Sequence, residues 1–144
     1  MKFILLFLLS VNVFGYAKTP MIWIAAGDLC NEKDKDFDGY RYADHVAHCK
    51  RKVSRKVKVK VCALYGVTDR KGYTVDHIIP LALGGSNKET NLWCQSRKIY
   101  SANLEFYYYR QLLKGKIRQA EAIHAIMAYK FNPVGKDHVP YPPK

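Results

Sequence analysis

Between Pro20 and Ala26 the chain reads PMIWIAA, a short apolar run that predicts a strand or an extended arm packed into a core. A polar stretch follows, Asn31–Gly39 (NEKDKDFDG). Tyr42, Val46 and Cys49 then recur at helical spacing and predict a short amphipathic helix over Tyr40–Cys49. The run Lys50–Val61 supports two patterns. Val57, Val59 and Val61 alternate with lysines as in a strand, whereas Ser54 suits an N-cap and Val57, Val61 and Leu64 recur at i, i+4, i+7. The helix is preferred, ending near Gly66. Tyr73–Leu83 (YTVDHIIPLAL) follows a turn at Lys71-Gly72 and predicts a strand entering a hairpin or long loop, closed by Gly84-Gly85-Ser86-Asn87. From about Asn91 the pattern is helical through Leu92, Ile99, Leu104, Tyr108, Leu112 and Leu113, with Gly115 as the stop. A second helix, about Ile117–Tyr129, carries Ile117, Ala120, Ile123, Ile126 and Met127 on one face. After Asn132 the chain is proline-rich, as in an extended or loose tail. Strands and helices mixed in this way predict an α+β fold.

The N-terminus adds a different element. Lys2 precedes an apolar run, Phe3–Phe14, broken only by Ser10 and Asn12. Gly15 and Ala17 then take the −3 and −1 positions of a cleavage after Ala17. That is the pattern of a secretory signal peptide. A spanning helix needs ~20 apolar residues, and this run is much shorter. The expectation is a removed segment over 1–17 and a single domain over 18–144, secreted or periplasmic, with no stable membrane anchor. The remaining length suffices for one core and not comfortably for two.

The formal charge of +12 favours polyanionic partners, nucleic acid first and an anionic surface second, although charge also serves solubility alone. None of Cys30, Cys49, Cys62 and Cys94 forms a C-x-x-C pair, which argues against a zinc knuckle or a thioredoxin-like motif. In an oxidising compartment an even number points to disulfides. Of the three pairings, Cys30–Cys49 with Cys62–Cys94 is preferred, because each then ties a segment to its sequence neighbour.

The chemistry is concentrated in Val75–Trp93, VDHIIPLALGGSNKETNLW. Phosphodiester hydrolysis needs a water deprotonated, which suits a histidine near neutral pH. It needs a hard cation for the charge developing on phosphorus-bound oxygens, which an Asp oxygen can hold. It also needs the base held in one orientation, a task for a loop-bridging side chain such as Asn91. D-H-I-I-P-L, then G-G-S, then N-L resembles the signature of the HNH endonuclease family, whose members fold as a ββα-metal unit. The likeness covers Tyr73–Trp93 closely and extends loosely through Leu104-Glu105 and Gly115, as in small exported members with an NLW motif; residues 18–60 carry none of it.

The resemblance implies Asp76 as a metal ligand, His77 as the general base and Asn91 as the brace of the loop carrying His77, with a divalent ion, Mg2+, as cofactor. The chain lacks the His or Asn, near a C-x-x-C-H, with which many members close the site: residues 94–102 read CQSRKIYSA. Glu105, Asn103 and Gln95 are the candidates for that third position, Glu105 first because a carboxylate best suits a hard ion. In one straight helix from Asn91, at ~1.5 Å per residue, Glu105 would be carried too far from Asp76. Glu105 therefore requires a break between Trp93 and Ser101.

Three further features bear on function. Asp34-x-Asp36-x-Asp38-Gly39 resembles the start of a calcium loop, but position 12 is His45 and a solvated acidic turn is the preferred account. The basic run KRKVSRKVKVK over 50–60, with Lys88, Arg97 and Lys98, suits phosphate contacts or simply a solvated face. Tyr107-Tyr108-Tyr109 could stack on bases, though at least one must face the core. His45, His48, His124 and His138 read as surface or packing residues. Two functions follow: an exported endonuclease acting on DNA or RNA with little sequence preference, or a non-catalytic cationic protein binding nucleic acid or an anionic surface.

Overall fold

The computed structural model describes residues 19–97 and 102–132. The expected export segment, the proline-rich tail with His138, Ile99 and Lys98 lie outside the described residues. Among the described residues the fold is mixed α+β, with two two-stranded antiparallel sheets and three helices. The strands are β1 (Phe37–Arg41), β2 (Val46–Cys49), β3 (Tyr73–His77) and β4 (Leu92–Ser96). The helices are α1 (Arg55–Leu64), α2 (Ala102–Leu113) and α3 (Gln119–Phe131).

Helix prevails over strand at α1 for a local reason. The Ser54 side chain accepts a hydrogen bond from the Val57 amide at 3.2 Å, satisfying one of the donors a helix start leaves open. Val61 is buried and Val57 packs on the core, while Val59 is half-exposed, as period 3.6 requires and period 2 does not. At Gly115, past the end of α2, φ is +64°, a left-handed turn suited to glycine.

The segment Tyr40–Cys49 is a hairpin and not the expected helix. Tyr42 and Val46 do face the core, and Cys49 is buried in a disulfide, but they do so from two sides of a turn. Tyr42 and His45 take positive φ there, which no right-handed helix allows. The expected helix start at Asn91 is likewise strand β4, with the helix delayed to Ala102. Leu92, Trp93, Cys94 and Gln95 are all buried, and a strand covered on both faces has no alternation to distinguish it from a helix. Pro20–Ala26 forms a turn rather than a strand: the Ile24 and Ala25 amides both bond to the Met21 carbonyl, leaving Ile22 and Trp23 exposed. On α3 the buried residues are Ala122, Ile126 and Lys130, with Ala120 exposed.

Two apolar clusters result. One gathers Ala25, Val61, Tyr65, Ile78, Leu92 and Trp93 around α1 and the β3–β4 pair. The other gathers Val46, Ile79, Leu83, Leu104, Leu112 and Ile126 between the hairpin, α2 and α3. The consecutive residues Ile78 and Ile79 enter different clusters, so the chain just after His77 is gripped from both sides. Cys62–Cys94 joins α1 to β4 and Cys30–Cys49 joins the N-terminal arm to β2, the expected pairing. Such bonds belong to oxidising compartments and typically contribute ~2–4 kcal/mol each. No helix among the described residues is long and apolar enough to cross a membrane.

Candidate active site

Asp76 and His77 end β3, opposite Trp93 and Leu92 of β4. The loop between the strands is held by one side chain. Asn91, fully buried, accepts at Oδ1 from the Ile79 amide at 2.9 Å and the Asp28 amide at 3.2 Å. Its Nδ2 donates to the carbonyls of Ile79 at 3.0 Å and Ser86 at 2.8 Å. One amide thus closes both ends of the loop and the N-terminal arm upon it, a geometry that leaves no room beside it. A Cβ on Gly85 would overlap the Ile79 carbonyl, and Gly84 has φ +89° with a Cβ position 2.8 Å from Val46 Cγ1. Gly85 is a packing requirement of the Asn91 brace, and Gly84 of the close approach of β2 and Gln119.

His77 is 2% exposed. Its Nε2 lies 2.9 Å from Asn87 Oδ1. The Asn87 amide nitrogen is engaged by Asp36 Oδ2 and by the Lys50 carbonyl at 2.7 Å, so its oxygen faces the ring and Nε2 must carry the proton. The lone pair is therefore at Nδ1, which is buried with no hydrogen-bond partner. Burial pushes the imidazole pKa below its ordinary value. Nearby Arg51 and Lys130 act in the same direction, opposed by the Asn87 bond and by Asp76. The ring is neutral at neutral pH.

Glu105 does reach Asp76. Strand β4 replaces the start of the expected straight helix, and α2 begins late enough to bring its first turn back to the site. Lys130 of α3 joins the two carboxylates: its Nζ lies 3.1 Å from Asp76 Oδ2, 2.7 Å from Glu105 Oε1 and 2.6 Å from the His77 carbonyl. The two carboxylate oxygens can be no farther apart than the sum of the first two distances. Asp76, His77 and Glu105 share a cavity of about 350 Å³ with His48, Arg51 and Leu81. Arg51 also lines a neighbouring recess of about 600 Å³ with Lys35, Lys52, Asn87 and Lys88.

Asn103 and Gln95 both lie away from that cavity. Asn103 is exposed and lines a separate recess on α2 with Phe106 and Arg110. Gln95 is buried in β4 opposite Thr74 and does not line the Asp76 cavity. The calcium-like aspartates diverge. Asp34 takes the Asn31 amide and Lys88, Asp36 takes Asn87, and Asp38 takes Lys50, Arg41 and His48. Among the described residues Asp34 instead neighbours Cys30 and Cys49, whose sulfurs are bonded to each other and cannot serve as thiolates. Tyr108 packs on the second cluster and Tyr109 meets Tyr42 edge-on, whereas Tyr107 lines the recess with Asn103. His124 is exposed on α3.

Sequence reasoning misses Asn87, His48 and Lys130. Asn87 is visible in G-G-S-N but reads only as a loop end. His48 is hidden by the helical pattern of a segment that folds as a hairpin. Lys130 carries no local signal at all. No protein-family model, curated protein or solved structure matches the chain.

Proposed function

We propose that the chain is an exported, metal-dependent endonuclease of the HNH type, hydrolysing DNA or RNA with little sequence preference. The observation that carries this is the convergence of Asp76, His77 and Glu105 on one cavity, with Asn91 bracing the loop behind them. The order of β3, β4 and α2 supports a ββα-metal core, since two antiparallel strands precede a helix that returns a carboxylate to the first strand. The pattern at 1–17 and the two disulfides support export.

The donor set fits a divalent cation. Two hard oxygens already meet on one positive charge, the Lys130 ammonium, and magnesium commonly takes one or two carboxylates with water and phosphate completing its shell. Held by Asp76 and Glu105, Mg2+ would neutralise charge on the phosphate and the leaving 3′ oxygen.

The chain's own residues do the rest. His77, protonated at Nε2 by its bond to Asn87, has only Nδ1 left to accept a water proton, and water must reach that buried nitrogen through the cavity the residue lines. Its lowered pKa keeps that nitrogen open in neutral solution. Asn91 and Asn87 keep the ring in one orientation. Arg51, shared by the two cavities, contacts the scissile phosphate's neighbourhood, while Lys52 and Lys88 hold adjacent phosphates without reading bases. A 5′-phosphate product is what the resemblance implies.

One observation favours a second function. Lys130 already neutralises part of the charge on Asp76 and Glu105, as in a cationic nucleic-acid-binding protein that needs no metal. Plasmid DNA and RNA incubated with the purified protein, with magnesium or with EDTA, separate the two. Cleavage that EDTA abolishes supports the nuclease; binding without cleavage under either condition rejects it.

A further inference from the structure

Among the described residues Lys130 is the only buried lysine, arginine or carboxylate. Its ammonium has three protons, and three acceptors take them: the His77 carbonyl at 2.6 Å, Glu105 Oε1 at 2.7 Å and Asp76 Oδ2 at 3.1 Å. With its side chain 1% exposed, that nitrogen has neither a donor to spare nor a path to a phosphate. It therefore cannot be the cation that meets the substrate. What it can do is hold together two carboxylates whose like charges would otherwise push them apart, and tie both to the backbone of His77.

Resting on the nuclease reading, we propose that Lys130 is the positioning residue of this centre and the built-in competitor of its divalent ion. It clamps Asp76 and Glu105 onto one cavity, and its charge opposes a metal at the same two side chains. Affinity for a free divalent ion is thereby kept low until a phosphate adds negative charge and oxygen ligands of its own. The scale is sufficient. A positive charge roughly 5 Å from a divalent ion, at an effective dielectric of ~20, changes affinity by well over tenfold before relaxation. The clamp explains why α3 buries a lysine on its core face beside Ala122 and Ile126, where an apolar residue would pack at lower cost.

The test is manganese binding, read by loss of the free-ion electron paramagnetic resonance signal. It uses the full protein with both disulfides closed and no nucleic acid. Lys130→Gln keeps hydrogen-bond donors without the charge, Lys130→Met removes both, and Lys130→Arg keeps the charge. The neutral variants should bind Mn2+ at least ~10-fold more tightly than wild type, and their melting temperatures should rise with added manganese. Lys130→Arg should stay near wild type. Adding Asp76→Asn to Lys130→Gln should erase the gain. A folded Lys130→Gln protein that binds Mn2+ no more tightly than wild type overturns the proposal. So do neutral variants that stay unfolded even in manganese, because the lysine's task is then packing. The nuclease reading fails separately: tighter Mn2+ binding with no cleavage by wild type rejects that reading and leaves the competition intact.

Discussion

Two groups of carboxylates in this chain look unlike in sequence and prove unlike in the opposite sense. Asp34, Asp36 and Asp38 are packed into five residues and resemble an ion-binding loop, yet in space they turn to different partners. Asp76 and Glu105 are far apart in sequence, yet they meet on one nitrogen at 3.1 and 2.7 Å. A carboxylate already satisfied by an exposed lysine or arginine gains little from a metal. Two carboxylates turned towards one enclosed cation are the candidate site we propose. Convergence decides, and count along the chain does not.

The comparison breaks most visibly at Asp76. If its oxygen anchors the ion, Asp76→Asn should raise the magnesium needed for half-maximal cleavage and lower turnover ~100-fold or more, since metal charge is worth several kcal/mol in the transition state. An unchanged magnesium titration would remove Asp76 from the ligand set. The next effect sharpens the contrast inside the acidic run. Of the three, Asp36 is the one linked to the His77 ring, through the Asn87 amide to Nε2. Asp36→Asn should therefore cost ~10-fold in turnover, on the scale of an outer-shell partner; no change in rate would show that the amide does not hold the ring.

A smaller effect lies in acid stability. His77 and His48 both have pKa values lowered first by burial. The unfolded chain then takes up protons that the folded chain refuses, so stability falls as pH drops below the ordinary histidine value of ~6.5. Urea melts between about pH 7.5 and pH 5 should show this decline, and His77→Gln should flatten part of it. A decline identical in the variant would assign the effect elsewhere. The smallest effect expected is none: Asp34→Asn, whose charged partner is the exposed Lys88, should leave magnesium dependence as it is.

The part of the site that the sequence reveals is the part that is local. Asp76, His77, the Gly-Gly pair and Asn91 lie within one strand–loop–strand, and the Asn91 bonds span only 5 and 12 positions to Ser86 and Ile79. The disulfide pairing is legible for the same reason. Lys130 is not, because it lies 54 positions from Asp76 and interrupts the apolar face of α3 that would have marked its helix turn as buried. Nor are the β1–β2 hairpin and β4. Inward residues either side of a turn can mimic i, i+4, i+7, and a strand buried on both faces has no period of its own. Chemistry alone ranks Glu105 first, and the break it requires is expected over Cys94–Ser96, where helical pattern is weak and the chain forms β4 in place of a helix.

The central claim is that His77 activates water at a centre built from Asp76 and Glu105. Its most direct test is cleavage of labelled nucleic acid by His77→Ala under single-turnover conditions, with binding measured on the same substrate. Turnover should fall ~10²–10⁴-fold while affinity stays within a few-fold, because phosphate contacts are proposed to belong to Arg51 and its basic neighbours. Wild-type turnover in the variant, or equal loss of binding and cleavage, would contradict the account.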